Sequence, residues 1–366
     1  MFDSLDSAKL ERLRRIGLAP RLVQQLITME VHEGAQLMRV TEVQRDALTL
    51  HDGIQEHLAR ALPGLLQTLQ EHHDALAVGD WVFATRNVHG QWWVPQRVPP
   101  LTQIARRLHD GRDKVTRTVI VSNVDTALLV MGLDHDFSLR RLERYLALVR
   151  LAEVDAVVVL TKADLCADAA AREREVQAGV PPGVAVVAVD ATSDASCAAL
   201  APWLKVGHSV VLLGSSGTGK STLTNTLTAS LTQDTGDTRK GDGRGRHTTT
   251  SRSLHVAPDG ACIIDTPGLR TLRLDSEAGG IERAFDDVAR LAGQCRFRDC
   301  RHQAEPGCAV REGVPRERLQ SFQKLWREAR RDNLTALQRK EQVQAWKSRS
   351  RAARQRDADM RREQSR

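Results

Sequence analysis

The octet Gly214-Ser215-Ser216-Gly217-Thr218-Gly219-Lys220-Ser221, followed by Thr222, has the spacing GxxxxGK[ST]. An apolar run at 209–213 precedes it and a helical pattern at 221–231 follows. That strand–loop–helix setting is the one in which such a loop cradles phosphate. Glycines let backbone N–H groups converge on phosphate oxygens, and the helix N-terminus adds a favourable dipole. Lys220 would reach the β- and γ-phosphates, and the Ser221 hydroxyl would ligate Mg²⁺. The bland alternative is a Gly/Ser-rich turn with no ligand, which the flanking pattern disfavours.

Two tetrapeptides extend this chemistry. Cys262-Ile263-Ile264 reads as a short buried strand ending in Asp265-Thr266-Pro267-Gly268. A carboxylate there could hold Mg²⁺ through water, and the Gly268 amide could sense the terminal phosphate. Upstream, the apolar run 156–160 leads into Thr161-Lys162-Ala163-Asp164. The Asp164 carboxylate could accept both the N1–H and the 2-amino protons of guanine, a charge-assisted pair that adenine does not offer. The Lys162 stem would lie along the base face. Either tetrapeptide alone is most simply a surface turn. With the phosphate loop they complete a set for GTP and GDP.

Their order is unusual. In ordinary GTPases the base-reading motif follows the other two, whereas here it precedes both. Such a circular permutation is tolerable when the original termini lie close in space. Residues 234–250, DTGDTRKGDGRGRHTTT, carry glycines at 236, 241, 243 and 245 and no large apolar residue. A linker is the plain reading. The position suggests a first switch loop, with one hydroxyl among Thr248, Thr249 and Thr250 completing the Mg²⁺ shell and Thr249 the named candidate.

A second constellation is Cys295-x4-Cys300-x-His302-x5-Cys308. Three thiolates and one imidazole make a full tetrahedral set for one structural Zn²⁺, leaving no open position for a substrate. A disulfide reading conflicts with the odd number of thiols. Arg296, Arg298, Asp299 and Arg301 lie between the ligands. They offer a mostly basic surface suited to a phosphate backbone, or simply a solvated face.

These groups need elements to hold them. Apolar runs at 119–121, 127–130, 156–160, 184–189, 209–213 and 261–264 alternate with helical patterns such as 139–151. Continuous apolar strands interleaved with helices predict a parallel sheet covered on both faces. Residues 79–86 and 91–95, around a turn at 87–90, read as a hairpin in a small antiparallel barrel or sandwich. Leu10, Leu13 and Ile16 suggest a short amphipathic helix, and Leu319, Phe322, Trp326 and Ala329 give another an apolar stripe. The expected division is an N-terminal extension (1–34), a β domain (35–117), a permuted α/β P-loop domain (118–275), a zinc-binding helical domain (276–339) and a basic tail (340–366).

Charge and cysteine usage bound the setting. The 366 residues carry 53 Lys+Arg against 46 Asp+Glu, a net +7. Residues 311–366 hold 17 basic and 8 acidic side chains, leaving 36 and 38 in the rest, so the surplus is C-terminal. No apolar run approaches the ~18 residues that span a bilayer. The N-terminus lacks an apolar secretory core. Six cysteines, three of them clustered, do not form a disulfide framework, so a reducing cytoplasm is expected.

With these residues assembled, the chain resembles the ribosome small-subunit-dependent GTPase A family, circularly permuted GTPases that assist late maturation of the 30S subunit. The resemblance rests on 78–81, Asn123-Val124-Asp125, 141–146, 160–165, the phosphate loop, 245–250, 265–268 and the zinc pattern, and spans roughly residues 35–330. It implies an OB-fold barrel, a central permuted GTPase and a C-terminal zinc domain, all contacting 16S rRNA, in a chain expected to act as a monomer. Three departures stand out. Thr161 occupies the family's usual Asn position, Asp190-Ala191 replaces its Ser-Ala, and the chain after 333 is longer and more basic than its core requires. Leu269 follows Gly268, where many GTPases place a water-orienting Gln. Slow intrinsic hydrolysis is therefore expected, with His247 the candidate to orient water once a ribosomal surface orders its loop. The competing reading is a non-enzymatic RNA-binding protein stabilised by bound nucleotide. A P-loop kinase fits poorly, having no need of Asp164.

Overall fold

The computed structural model describes residues 7–32, 34–109, 115–228, 252–268, 281, 282 and 284–332. His247, Thr248, Thr249, Thr250, Leu269 and the 340–366 tail lie outside the described residues.

Five strands close a barrel: β1 (Gln36–Val43), β2 (Leu48–His51), β3 (Glu56–Ala61), β4 (Trp81–Arg86) and β5 (Trp92–Arg97). They pair in the ring order β1-β2-β3-β5-β4 and back to β1, antiparallel except for β3 with β5. The hairpin expected around 87–90 is β4 and β5, closed by the Asn87 N–H donating to the Gln91 carbonyl at 2.9 Å. Of the two expected forms, the β domain takes the barrel. Met38, Val40, Leu50, Val82, Ala84 and Val94 fill its interior. Leu37, Trp81 and Phe83 point outward yet are also buried, because α1 (Ser7–Arg15) and α2 (Pro20–Ile27) cover them with Leu13, Ile16, Leu22 and Leu26. That burial of both strand faces gives β1 its nearly continuous buried pattern.

A two-stranded sheet follows, β6 (Gln103–His109) antiparallel to β7 (Val115–Ser122). This corrects the expectation that 119–121 joins the parallel sheet. The next strand, β8 (Thr126–Gly132), starts too soon after Ser122, since a parallel neighbour needs a crossover of a dozen residues or more.

The main layer then reads β10-β9-β8-β11-β13-β12, with β9 (Asp155–Thr161), β10 (Ala185–Ala188), β11 (Ser209–Gly214), β12 (Ser253–Val256) and β13 (Cys262–Asp265). The first five are mutually parallel, as their apolar runs predict, while β12 is antiparallel to β13. Through the pair Glu42↔Ser253, β12 also meets β1, joining this layer to the barrel in one eleven-stranded sheet. Strand order reverses between β8 and β11, and the crevice at such a switch point is where open α/β sheets bind ligands.

Of the helices α3 (Pro63–Glu71), α4 (Leu139–Leu151), α5 (Ala169–Gly179) and α6 (Ala195–Leu200), α4 covers one face of this layer with Leu142, Tyr145, Leu146 and Val149. The same core continues into α8 (Asp286–Ala292), α9 (Ala309–Gly313) and α10 (Arg316–Asp332) through Phe285, Val288, Val310, Leu319, Phe322 and Leu325. Phe285 and Phe322 meet edge to face at 5.5 Å. Arg318 clamps Asp287 with two hydrogen bonds of 2.6 and 2.8 Å.

One residue that the sequence reading passed over joins these layers. Arg39 of β1 is fully buried. It donates to the Ile16 carbonyl at the end of α1, to the Asn123 carbonyl after β7 (3.1 Å) and to Ser209 Oγ at the foot of β11 (2.8 Å). Gly17 is required beside it, because a Cβ there would fall on the guanidinium. Arg39→Leu would strand those acceptors in a dry interior. It is expected to cost about 3 kcal/mol of unfolding free energy in urea titration; a loss below about 1 kcal/mol would show that the acceptors find other partners.

Candidate functional site

The phosphate loop is held by the strand before it. β11 is wholly buried, and Gly214 ends it against β8, where a side chain would strike the Val130 carbonyl oxygen. Gly217 and Gly219 take left-handed backbone angles of +82° and +84°, the conformation that glycine adopts without strain. α7 (Lys220–Thr228) begins directly after. Within the turn, Thr218 Oγ1 donates to the Ser215 carbonyl at 3.0 Å and Lys220 Nζ donates to the same oxygen at 2.6 Å. The ammonium is buried, and that burial lowers its pKa to about 8 against the opposing pull of Asp265 and Asp136.

Asp265, fully buried at the end of β13, faces Ser221 Oγ at 3.5 Å. That separation exceeds a good O–H···O bond. Thr266 Oγ1 anchors the turn on the Leu212 carbonyl at 2.7 Å. Gly268 lies against the phosphate loop, and a Cβ there would sit 2.5 Å from the Ser216 nitrogen. Thr222 lies in the first turn of α7.

The base-side loop reaches the same place from β9. Thr161, fully buried, donates from Oγ1 to the Thr218 carbonyl at 2.6 Å. Lys162, with φ +61°, donates from Nζ to the Gly217 carbonyl at 2.8 Å and to Asp134 Oδ2 at 2.6 Å. Burial pushes the Asp134 carboxyl up, but the Lys162 ammonium and a hydrogen bond from the Asp136 N–H hold it below the usual range. Asp134 went unnoticed in the sequence, where its only signal is a carboxylate just past the end of β8. Ala163 and Asp164 form the one-turn helix Ala163–Leu165, with the Asp164 carboxylate exposed. In the neighbouring loop, Asp190 accepts from the Thr192 N–H and hydroxyl at 2.9 and 2.7 Å, so its carboxylate caps its own turn. Ala191 lends its carbonyl to Thr226 of α7 at 2.7 Å.

Cys295, Cys300, His302 and Cys308 converge between α8 and α9, their ligand atoms all within 4.8 Å of one another. Cys295 Sγ to Cys308 Sγ is 3.9 Å, and His302 Nδ1 lies 3.6 and 3.4 Å from those two sulfurs. Tetrahedral bonds of zinc length imply about 3.8 Å between sulfurs and about 3.5 Å from sulfur to nitrogen. The four groups can hold a metal ion. Gln323 of α10, missed in the sequence, fixes His302 by donating to its carbonyl at 2.6 Å. Among the described residues, no helix is long and apolar enough to cross a membrane.

Known proteins share this organisation. The RsgA GTPase family model matches residues 102–275. The small ribosomal subunit biogenesis GTPase RsgA 2 of Vibrio vulnificus (strain CMCP6) is 40% identical over 322 residues, covering 86% of this chain and 87% of that protein. The small ribosomal subunit biogenesis GTPase RsgA of Xylella fastidiosa (strain 9a5c) is 49% identical over 242 residues, 66% of this chain and 69% of its own length. In fold, the chain is similar to the crystal structure of YjeQ from Thermotoga maritima, with a TM-score of 0.58 at 23% identity, covering 81% of this chain and 98% of that one. It is similar also to the crystal structure of YloQ, a circularly permuted GTPase, with a TM-score of 0.57 at 21% identity, covering 84% of this chain and all of that one.

Proposed function

The chain belongs to the RsgA GTPase family, and from that premise we propose that it hydrolyses GTP to GDP and phosphate during late maturation of the small ribosomal subunit. One observation carries the reading of the site. Thr161 and Lys162 are hydrogen-bonded to the backbone of the phosphate loop, so a base at Asp164 and phosphates at Lys220 belong to one nucleotide.

In this reading the loop from Gly214 to Thr222 holds the phosphates through its N–H groups and Lys220. Asp164 reads the guanine edge, Ala163 and Lys162 shape its seat, and Gly268 contacts the terminal phosphate. Ser221 and Thr249 would hold Mg²⁺, Asp265 would reach it through water, and the ion would neutralise charge on the phosphates. His247 orients the attacking water. Cys295, Cys300, His302 and Cys308 hold one structural Zn²⁺, which fixes Arg296, Arg298 and Arg301 for contact with 16S rRNA. The barrel and the 340–366 tail add further RNA contacts, and the limit expected at 117/118 falls inside β7.

Asp164→Asn tests the base assignment. An amide still accepts the N1–H but turns a donor toward the guanine 2-amino group, whereas xanthine offers an oxygen there. GTP affinity should fall about 100-fold and XTP affinity should rise, as read by displacement of a fluorescent nucleotide. An unchanged preference for GTP would mean that guanine is recognised elsewhere.

A further inference from the structure

The turn after β8 presents one carboxylate. Asp134 Oδ1 accepts the Asp136 N–H at 3.0 Å, and the Asp134 carbonyl accepts the Phe137 N–H at 3.0 Å. Gly132 leaves room for it, since a Cβ there would lie 2.9 Å from Oδ1. The Leu133 N–H, bonded to the Thr161 carbonyl at 2.9 Å, ties this turn to the base-side loop. Oδ2 is then left to Lys162 Nζ at 2.6 Å, with the exposed His135 ring a more distant neighbour at 3.6 Å.

Lys162 needs such an anchor. Its backbone stands at φ +61°, a conformation that residues other than glycine adopt at a cost. Its long side chain also loses much rotamer freedom when held in one arrangement. The Gly217 carbonyl, 2.8 Å from Nζ, is a neutral acceptor on the phosphate loop. The Asp134 carboxylate adds a bond between two charges, about twice as strong as a neutral one. Gripped by both, the ammonium is fixed, and the stem behind it is ordered with no nucleotide present. A binding group ordered in advance costs less to engage.

We infer that Asp134 is a positioning residue for the base: it pins the Lys162 ammonium to the phosphate loop, so that the lysine stem is set to cover the guanine face before nucleotide arrives. The inference rests on the nucleotide reading above, and adds a residue that neither the resemblance nor the motifs assign to the site.

A double-mutant cycle on the full-length chain tests it, with affinity for N-methylanthraniloyl-GDP as the readout. Asp134→Asn keeps the size of the side chain and can keep the bond from the Asp136 N–H, but then turns an amide NH₂ toward the ammonium. Affinity should fall about tenfold, the worth of one partly exposed bond between charges. Lys162→Met keeps an apolar stem and loses both bonds, and should cost about 30-fold. If Asp134 acts through Lys162, the double variant is no weaker than Lys162→Met alone. A loss that came only from a disturbed turn would persist in the Lys162→Met background and bring the double variant to about 300-fold, the product for independent sites. That result would overturn the assignment, as would parental affinity in Asp134→Asn. A parent chain that does not bind the GDP probe overturns the nucleotide reading itself.

Discussion

Lys220→Met should abolish GTP binding and turnover, lowering kcat/KM at least 100-fold, while leaving the chain as stable as its parent or more so. The two halves of that expectation have one cause. The Lys220 ammonium is buried on the Ser215 carbonyl, and among the described residues the anions acting on it are Asp265 and Asp136, so without nucleotide its charge is held at a cost in solvation. A phosphate beside it offsets that cost, which is why the charge serves binding rather than folding. Methionine keeps the length and apolar stem, fills the same space and brings no charge to desolvate. Thermal unfolding and nucleotide binding, measured on one sample, separate the effects. Lys220→Met with parental turnover would remove the phosphate loop from the mechanism.

The lowered pKa adds a pH dependence whose sign is fixed. The free protein loses the Lys220 proton near pH 8, but an ammonium between phosphate oxygens keeps its proton to higher pH. Binding therefore takes up a proton above pH 8. GTP affinity should be level below that point and fall about tenfold per pH unit beyond it, and Lys220→Met should lack the decline.

Removing the metal is the second large perturbation. Stripping the Cys295, Cys300, His302 and Cys308 site, or replacing the buried Cys308 with serine, should unfold the C-terminal module and lower the melting temperature of the whole chain. Structural zinc contributes about 10–16 kcal/mol of apparent binding free energy in small metal-folded modules, far above any single contact described here. The loss does not stay local, since Phe322 and Leu325 of α10 pack in the same core as Leu142 and Leu146 of α4. Elemental analysis should give one zinc per chain, and calorimetry with and without chelator should show the shift. A metal-free chain with the same melting temperature would contradict the assignment.

How much of this was legible in the sequence depends on the range of the interaction. The phosphate loop could be read because its chemistry is local: glycines needed for left-handed turns and a lysine at a fixed offset. The same holds for the metal ligands, three of which fall within eight residues of one another. Strand pairing is not local. Val119, Ile120 and Val121 have the apolar run of a parallel-sheet strand, and only the short connection from Ser122 to Thr126 marks them as part of a separate hairpin. β12 was not seen, because a strand of four residues carries little pattern. Arg39, Asp134 and Gln323 look like ordinary surface or core residues until partners far along the chain arrive: Arg39 meets Ser209, Asp134 meets Lys162 and Gln323 meets His302. Thr161 reads as a weakened base motif, whereas its hydroxyl is spent on the Thr218 carbonyl, holding the base-side loop to the phosphate loop.

The central claim is hydrolysis of GTP in the service of the small ribosomal subunit. Its most direct test is turnover of GTP and of ATP by the full-length chain, with and without purified 30S subunits. The account predicts slow GTP hydrolysis by the chain alone, a large increase on adding subunits, and little ATP hydrolysis in either case. Equal use of both nucleotides, or no increase with 30S subunits, would contradict it.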